Sequence, residues 1–124
     1  MLTNCNMVEI GVQDYEGAVV WYRDNLGLEV GYREDDHRYC EFNFPSGGLV
    51  LTVRGIDKID PALQTRVVAA IEAINLDQTL TELTGRGVSV RGTTSEGSRN
   101  DGQKYRWASI ADPEGNLMRL YEWA

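Results

Sequence analysis

The sequence predicts a single small α+β domain made of two similar halves, each with the element order β-α-β-β-β. Two observations lead to this prediction. The order of strand, polar cap, amphipathic helix and three further strands occurs twice along the 124 residues. The hydrophobic content of 42% supports one core, or two small ones that share an interface, but not several large domains. We expect a first module at about 1–54, a linker at 55–64 and a second module at about 65–124.

The first module begins with an extended segment and a capped helix. Met7 to Val12 is rich in residues that favour strands, and Asp14 is suited to cap a helix. Apolar residues then recur at helical spacing up to Leu26, and Gly27 is suited to end the helix. A charged hairpin tip at 34–38 and a turn at 45–48 separate the strands that follow. These strands are predicted at 28–33, 39–44 and 49–53.

The second module repeats this order. We predict its first strand at 65–72, although Asp60-Pro61 and the Ala- and Leu-rich residues after it locally favour one long helix. Asn75 takes the place of Asp14 as a helix cap, and Gly85 and Gly87 end the helix. A glycine- and serine-rich loop at 93–103 has the composition of a mobile lid. The remaining strands are predicted at 88–90, 104–110 and 117–123.

Charge and composition exclude several classes of partner. Nineteen acidic residues against twelve basic ones give a net charge of -7, which would repel a nucleic-acid backbone. The same charge favours a cationic ligand, but solubility alone also explains it. No apolar stretch approaches the roughly 18 residues that cross a bilayer, and no signal-peptide pattern begins the chain, so we expect a cytoplasmic protein without membrane contact. Cys5 and Cys40 are too few for a disulfide framework and are expected to be reduced.

Two stretches carry a family resemblance. They are the strand-to-helix segment from Val12 to Leu28 and the segment from Asp112 to Leu120, which begins Asp-Pro-Glu-Gly-Asn. With the order of elements, they make the chain resemble the glyoxalase/bleomycin-resistance/extradiol dioxygenase superfamily, the vicinal oxygen chelate proteins, over essentially its whole length. The resemblance implies two mixed sheets curled into cups, and a homodimer in which cups form or are completed at the interface. It does not select a reaction, because isomerases, dioxygenases, thiol transferases and drug-binding proteins share this scaffold.

The resemblance also implies metal-ligand positions on the first and fourth strands of each half. They correspond here to Met7 and Val68 on the first strands and to Leu51 (or Val50, if the register shifts by one) and Arg119 on the last strands. None of these side chains is suited to bind a divalent metal. A register shift of two would bring in only one carboxylate. We therefore expect neither a metal nor another cofactor, and a solvated surface role for the single histidine, His37.

Arg119 stands at a position where the resemblance implies a metal ligand, and this difference suggests candidate site residues. If its side chain points into the cup, its charge needs an anion: either Glu9 or Glu41 of the same chain, or a carboxylate, phosphate or enolate oxygen of a ligand. Glu9 could act as a general base or as the counter-ion of a cationic ligand. A polar and aromatic cup wall, which could equally be core, is predicted from Tyr39, Glu41, Tyr105, Trp107, Ser109 and Tyr121.

These observations favour a metal-free protein of the bleomycin-resistance kind that sequesters a small organic compound, with cations as the class that the net charge favours. The alternative is a metal-independent isomerase, lyase or cyclase, with Glu9 as base and Arg119 as anion partner. A metal-dependent glyoxalase or dioxygenase requires a different strand register.

Overall fold

Two units with the same order of elements make up the structure, a computed structural model that describes residues 1–3, 5–58 and 67–124. The units are Met1–Thr65 and Arg66–Ala124. The first contains β1 (Met7–Val12), α1 (Tyr15–Asp24), β2 (Glu29–Glu34), a short 3-10 helix (Asp35–His37), β3 (Tyr39–Asn43) and β4 (Val50–Gly55). The second contains β5 (Ala69–Glu72), α2 (Leu76–Gly85), β6 (Ser89–Ser98), β7 (Lys104–Ala111) and β8 (Leu117–Trp123).

Each unit forms a four-stranded mixed sheet with one parallel strand pair. The strand order is β1-β4-β3-β2 in the first unit and β5-β8-β7-β6 in the second. The first and last strands of each unit pair in parallel, and the other neighbours pair antiparallel. The predicted α+β fold with two βαβββ halves is therefore confirmed.

Helix α1 covers one face of the first sheet. The Asp14 side chain accepts a hydrogen bond from the Gly17 amide at 3.0 Å and so caps the helix. Tyr22 of α1 stacks on Phe42 of β3 with ring centroids 5.8 Å apart, and both side chains are fully buried. Because side chains alternate along a strand, the residues between these core positions point to the opposite face, which α1 leaves open.

Helix α2 covers the equivalent face of the second sheet. Asn75 caps α2 by accepting a hydrogen bond from the Gln78 amide at 3.0 Å. The Leu76 amide donates to a carboxylate oxygen of Glu122 on β8 at 2.9 Å, so Glu122 points toward the helix. Met118 and Leu120, at alternate positions of the same strand, are buried on the same face of the sheet. The opposite face of this sheet is also open.

A buried aspartate fixes the turn between β7 and β8. One carboxylate oxygen of Asp112 accepts hydrogen bonds from the amides of Glu114 at 2.9 Å and Asn116 at 2.8 Å. Its other oxygen accepts from the Asn116 side chain at 2.8 Å. The Asp-Pro-Glu-Gly-Asn segment is thus a hydrogen-bonded turn that aligns the two strands.

The loop predicted at 93–103 is wrong over its first part, which is a strand. Strand β6 continues to Ser98 and pairs with β7, so only a short connection before Lys104 lies outside the strands. Cross-strand hydrogen bonds outweigh the loop-like composition, and Gly92, with a φ of 76°, lies within the stretch where the register shifts.

Other element boundaries also differ from those predicted from the sequence. The strand predicted at 65–72 is observed as β5 from Ala69, so residues 67–68 precede it. Residues 65–66 of this prediction lie outside the described residues, and so does segment 59–64 of the predicted linker. The predicted hairpin tip contains the 3-10 helix. Cys40 is a buried free thiol. Neither of the described helices is long and apolar enough to cross a membrane.

Candidate functional site

The open face of the first sheet carries carboxylates and tyrosines in two cross-strand rows. In the first row, Thr52 of β4 lies between Glu9 of β1 and Glu41 of β3. Tyr32 of β2 extends this row beside Glu41. The second row runs through Arg54, Tyr39 and Glu34. We call this surface the acidic face; it comprises Glu9, Tyr32, Glu34, Tyr39, Glu41, Thr52 and Arg54.

Arg54 contacts two other residues of the acidic face. Its guanidinium forms an ion pair with Glu9 and lies over the Tyr39 ring, 5.2 Å from the ring centroid. The Tyr39 hydroxyl donates to Glu41 at 2.6 Å, and this bond to a carboxylate raises the pKa of Tyr39 to about 12. The Tyr32 hydroxyl donates to Glu34. The three carboxylates of this face thus oppose one guanidinium, which leaves an excess of negative charge.

A pocket of about 400 Å³ opens on this face. Its lining residues are Met7, Glu9, Glu34, His37, Tyr39 and Arg54. The Nδ1 atom of His37 lies 2.7 Å from a Glu34 carboxylate oxygen, and this hydrogen bond raises the pKa of His37 above its ordinary value. The His37 side chain is 68% exposed, so it is solvated, as expected from its position in the charged tip.

The open face of the second sheet has the opposite charge. Ser109 of β7 lies between Arg119 of β8 and Arg91 of β6 in one cross-strand row. The next two rows place Tyr121 beside Trp107, and Trp123 beside Tyr105. We call this surface the basic-aromatic face; it comprises Arg91, Tyr105, Trp107, Ser109, Arg119, Tyr121 and Trp123.

Arg119 is exposed and stacks on an aromatic ring. Its guanidinium carbon lies 4.5 Å from the centroid of the Trp107 ring. It forms no ion pair with the described residues of its own unit. Trp123 packs edge-on against Tyr121 and Tyr105, with centroids 5.3 and 6.3 Å apart. The aromatic rings therefore form a continuous strip beside the arginine row.

The candidates predicted from the sequence all lie on the two open faces. Those on the acidic face are Glu9, Tyr39 and Glu41, and those on the basic-aromatic face are Tyr105, Trp107, Ser109, Arg119 and Tyr121. The carboxylates considered as internal partners of Arg119 have contacts within their own sheet, since Glu9 pairs with Arg54 and Glu41 accepts from Tyr39.

Several residues of these faces were missed from the sequence. They are Tyr32, Glu34, Arg54, Thr52, Arg91 and Trp123. Alternation along each strand indicated which residues share a face, but the cross-strand neighbours depend on register. In the first sheet, an irregularity between Val30 and Tyr32 shifts the pairing of β2 with β3, and sequence alternation does not reveal such a shift.

The residues at the family's metal positions do not fit a metal. Leu51 is buried on the helix-covered face, so the alternative register with Val50 is the one that reaches the open face. The open faces carry Met7, Val50 and Arg119, whose side chains have no oxygen atom that could bind a metal. Val68 precedes β5. Across residues 1–3, 5–58 and 67–124, no group of three or more His, Cys, Asp or Glu side chains could hold a metal ion.

Two mixed sheets, each with one helix-covered face, define an α+β protein of the glyoxalase type, and comparisons with known proteins agree. The model of the Glyoxalase/Bleomycin resistance protein/Dioxygenase superfamily matches residues 4–120, so the chain belongs to this superfamily. The resemblance predicted from the sequence is confirmed.

Individual relatives are distant in sequence but similar over their full length. The chain is 24% identical to the uncharacterized protein YraH of Bacillus subtilis, over 93% of this chain and 94% of that protein. A superfamily member from Sphaerobacter thermophilus matches with a TM-score of 0.77 and 21% identity, over 98% of each chain. A glyoxalase/bleomycin resistance protein/dioxygenase from Alicyclobacillus acidocaldarius matches with a TM-score of 0.71 and 19% identity, over 97% of this chain and 91% of that chain. At these identities the solved structures support the fold alone.

Proposed function

We propose that this protein is a metal-free small-molecule-binding protein of the bleomycin-resistance kind that sequesters an organic cation on its acidic face. The observation that carries the proposal is the position of Arg54. Its guanidinium lies between the Glu9 carboxylate and the Tyr39 ring, so this face already stabilises a cation through an ion pair and a cation–π contact. An organic ammonium ion would use the same two kinds of contact.

The size and charge of the pocket support the same ligand class. A volume of about 400 Å³ lies within the range of small-molecule sites, which is about 300–1,000 Å³. Glu34 and Glu41 add two carboxylates that Arg54 does not pair with. Their negative charge would attract a cation and repel an anion.

The alternative of a metal-independent enzyme has weaker support. Glu9, the proposed base, is engaged by Arg54 and would have to leave this ion pair to accept a proton from a substrate.

We include in our proposal the homodimer that the family resemblance implies. Analytical ultracentrifugation at micromolar concentration tests it, and a monomer over that range would contradict it.

Isothermal titration with benzyltrimethylammonium tests the ligand class. At low ionic strength we expect saturable binding, and we expect Glu41→Gln to weaken it about threefold to tenfold because one attractive charge is lost. The matched control is Glu16→Gln, which removes the same charge from α1 on the covered side of the sheet and should leave the affinity unchanged. Equal binding of uncharged benzyl alcohol, or equal effects of both substitutions, would contradict the proposal.

A further inference from the structure

We infer that Met7 is a site of reversible oxidation, at which hydrogen peroxide forms methionine sulfoxide and thereby weakens cation binding on the acidic face. The effect on binding rests on the proposed function and adds redox control of the same pocket. The inference rests on three observations: the place of Met7 in the pocket lining, its exposure to solvent, and the hydrogen bonding of the hydroxyl beside its sulfur atom.

Met7 supplies the apolar part of the pocket. Among the lining residues that the structure describes, it is the one whose side chain has no polar nitrogen or oxygen atom. The other lining residues are Glu9, Glu34, His37, Tyr39 and Arg54. Thioethers pack favourably against hydrocarbon and aromatic groups. Met7 is therefore suited to contact the organic part of a cation, while the carboxylates attract its charge.

Exposure distinguishes the three methionines of the chain from one another. Met7 is 42% exposed, whereas Met118 is fully buried on the helix-covered face of the second sheet. Met1 is fully exposed and lies before β1, away from the strand that carries the pocket residues. An oxidant must reach the sulfur atom, so Met7 reacts in the folded protein and Met118 is protected until the protein unfolds.

The Tyr39 hydroxyl leaves the lone pairs of the Met7 sulfur available. The hydroxyl oxygen lies 3.6 Å from this sulfur and 2.6 Å from a carboxylate oxygen of Glu41. A hydroxyl has one proton to donate, and a charged acceptor forms the stronger hydrogen bond. The proton is therefore donated to Glu41, and the sulfur can act as a nucleophile.

Oxidation of Met7 changes the polarity of the pocket but not its charge. A sulfur lone pair attacks one oxygen of hydrogen peroxide, and the S–O bond forms as the O–O bond breaks. The departing hydroxide takes the proton of the transferred oxygen, so the products are a neutral sulfoxide and water. The sulfur loses two electrons and the peroxide gains them. The polar S–O group binds water that a hydrocarbon group would have to displace, which lowers the affinity for an organic cation.

The test compares benzyltrimethylammonium binding before and after the folded protein is treated with hydrogen peroxide. Isothermal titration measures the affinity, and peptide mapping by mass spectrometry locates the sulfoxide. We expect oxidation of Met7, no oxidation of Met118, and an affinity about fivefold lower, which corresponds to the loss of about 40 Å² of apolar contact. Methionine sulfoxide reductases should restore the affinity of the oxidised protein.

Two variants separate the effect of Met7 from that of other oxidised residues. In Met7→Leu, peroxide treatment should leave the affinity at its value before treatment, although Met1 and Cys5 remain exposed to the oxidant. Met7→Gln places a polar, uncharged group at the same position, as the sulfoxide does. It should bind the cation more weakly than Met7→Leu and should not respond to peroxide.

Three results would overturn the inference. The first is that Met7 is oxidised no faster than Met118 in the folded protein. The second is that protein with Met7 sulfoxide binds the cation as tightly as untreated protein. The third is that peroxide lowers the affinity of Met7→Leu as much as that of wild type. If untreated protein did not bind the cation, the proposed function and the effect on affinity would both be contradicted, and the peptide map would still decide whether Met7 is the oxidation site.

Discussion

Arg54 competes with any cation that binds the acidic face, so Arg54→Gln should increase the affinity for an organic cation. Two unit charges about 8 Å apart repel each other by about 0.5 kcal/mol in water and by about 2 kcal/mol at the effective dielectric of a protein surface. The Arg54 and Glu9 side chains are 49% and 42% exposed, so the lower value applies. The vacated Tyr39 ring adds a cation–π contact of about 0.5–1 kcal/mol. Together these terms give about 1 kcal/mol, or about fivefold tighter binding.

Calorimetric titration of benzyltrimethylammonium into Arg54→Gln and wild-type protein at low ionic strength measures this gain. An increase in affinity is informative because a damaged fold would weaken binding. The control is Arg23→Gln on α1, which changes the net charge equally on the covered side of the sheet. If Arg54→Gln binds the cation no more tightly than wild type, or no more tightly than Arg23→Gln, the role assigned to Arg54 is refuted.

Three further predictions concern pH and stability. The hydrogen bond to Glu34 raises the pKa of His37 above its ordinary value, so cation affinity should fall as the pH is lowered through that raised pKa and His37 becomes positively charged. In His37→Gln this fall should be absent in calorimetry. Phe42→Ala should cost about 3–5 kcal/mol in urea unfolding because it empties a buried site against Tyr22; a loss below about 1 kcal/mol would contradict this packing. Asp112→Ala should cost about 1–3 kcal/mol in the same assay by removing the acceptor of the turn amides, and an unchanged midpoint would exclude that role.

Local signals in the sequence predicted most of the fold. Asp14 and Asn75 cap the two helices as expected, because a short polar side chain before an apolar stripe can satisfy a free helix amide. Alternation in β3 and β7 also separated the covered face from the open face. Cys40 and Phe42 are buried, while Tyr39 and Glu41 lie on the open side.

The extent of β6 could not be predicted locally. Its glycines and serines are typical of loops, and only pairing with β7 makes the segment a strand. Gly97 shows this dependence, because a Cβ atom there would lie 2.5 Å from the Tyr105 ring. A larger side chain at position 97 would therefore displace the Tyr105 ring, and this cross-strand neighbour depends on register.

The sequence predicted which candidate residues share a sheet face, but not which residues lie next to one another on neighbouring strands. Glu9 is predicted to be a carboxylate on an open face, but its partner Arg54 is 45 positions away and lies just beyond the strand predicted at 49–53. Arg91 was missed for the same reason, since its place beside Ser109 follows from the β6–β7 register. Contacts of this kind depend on sheet pairing, which alternation within one strand does not determine.

The most direct test of cation binding on the acidic face is an amide NMR titration of the full chain with benzyltrimethylammonium. Our account predicts saturable shifts of the amides around Glu9, Tyr39 and Glu41. If the shifts did not saturate at low ionic strength, or if uncharged benzyl alcohol shifted the same amides equally, the assignment of a cation site would be contradicted.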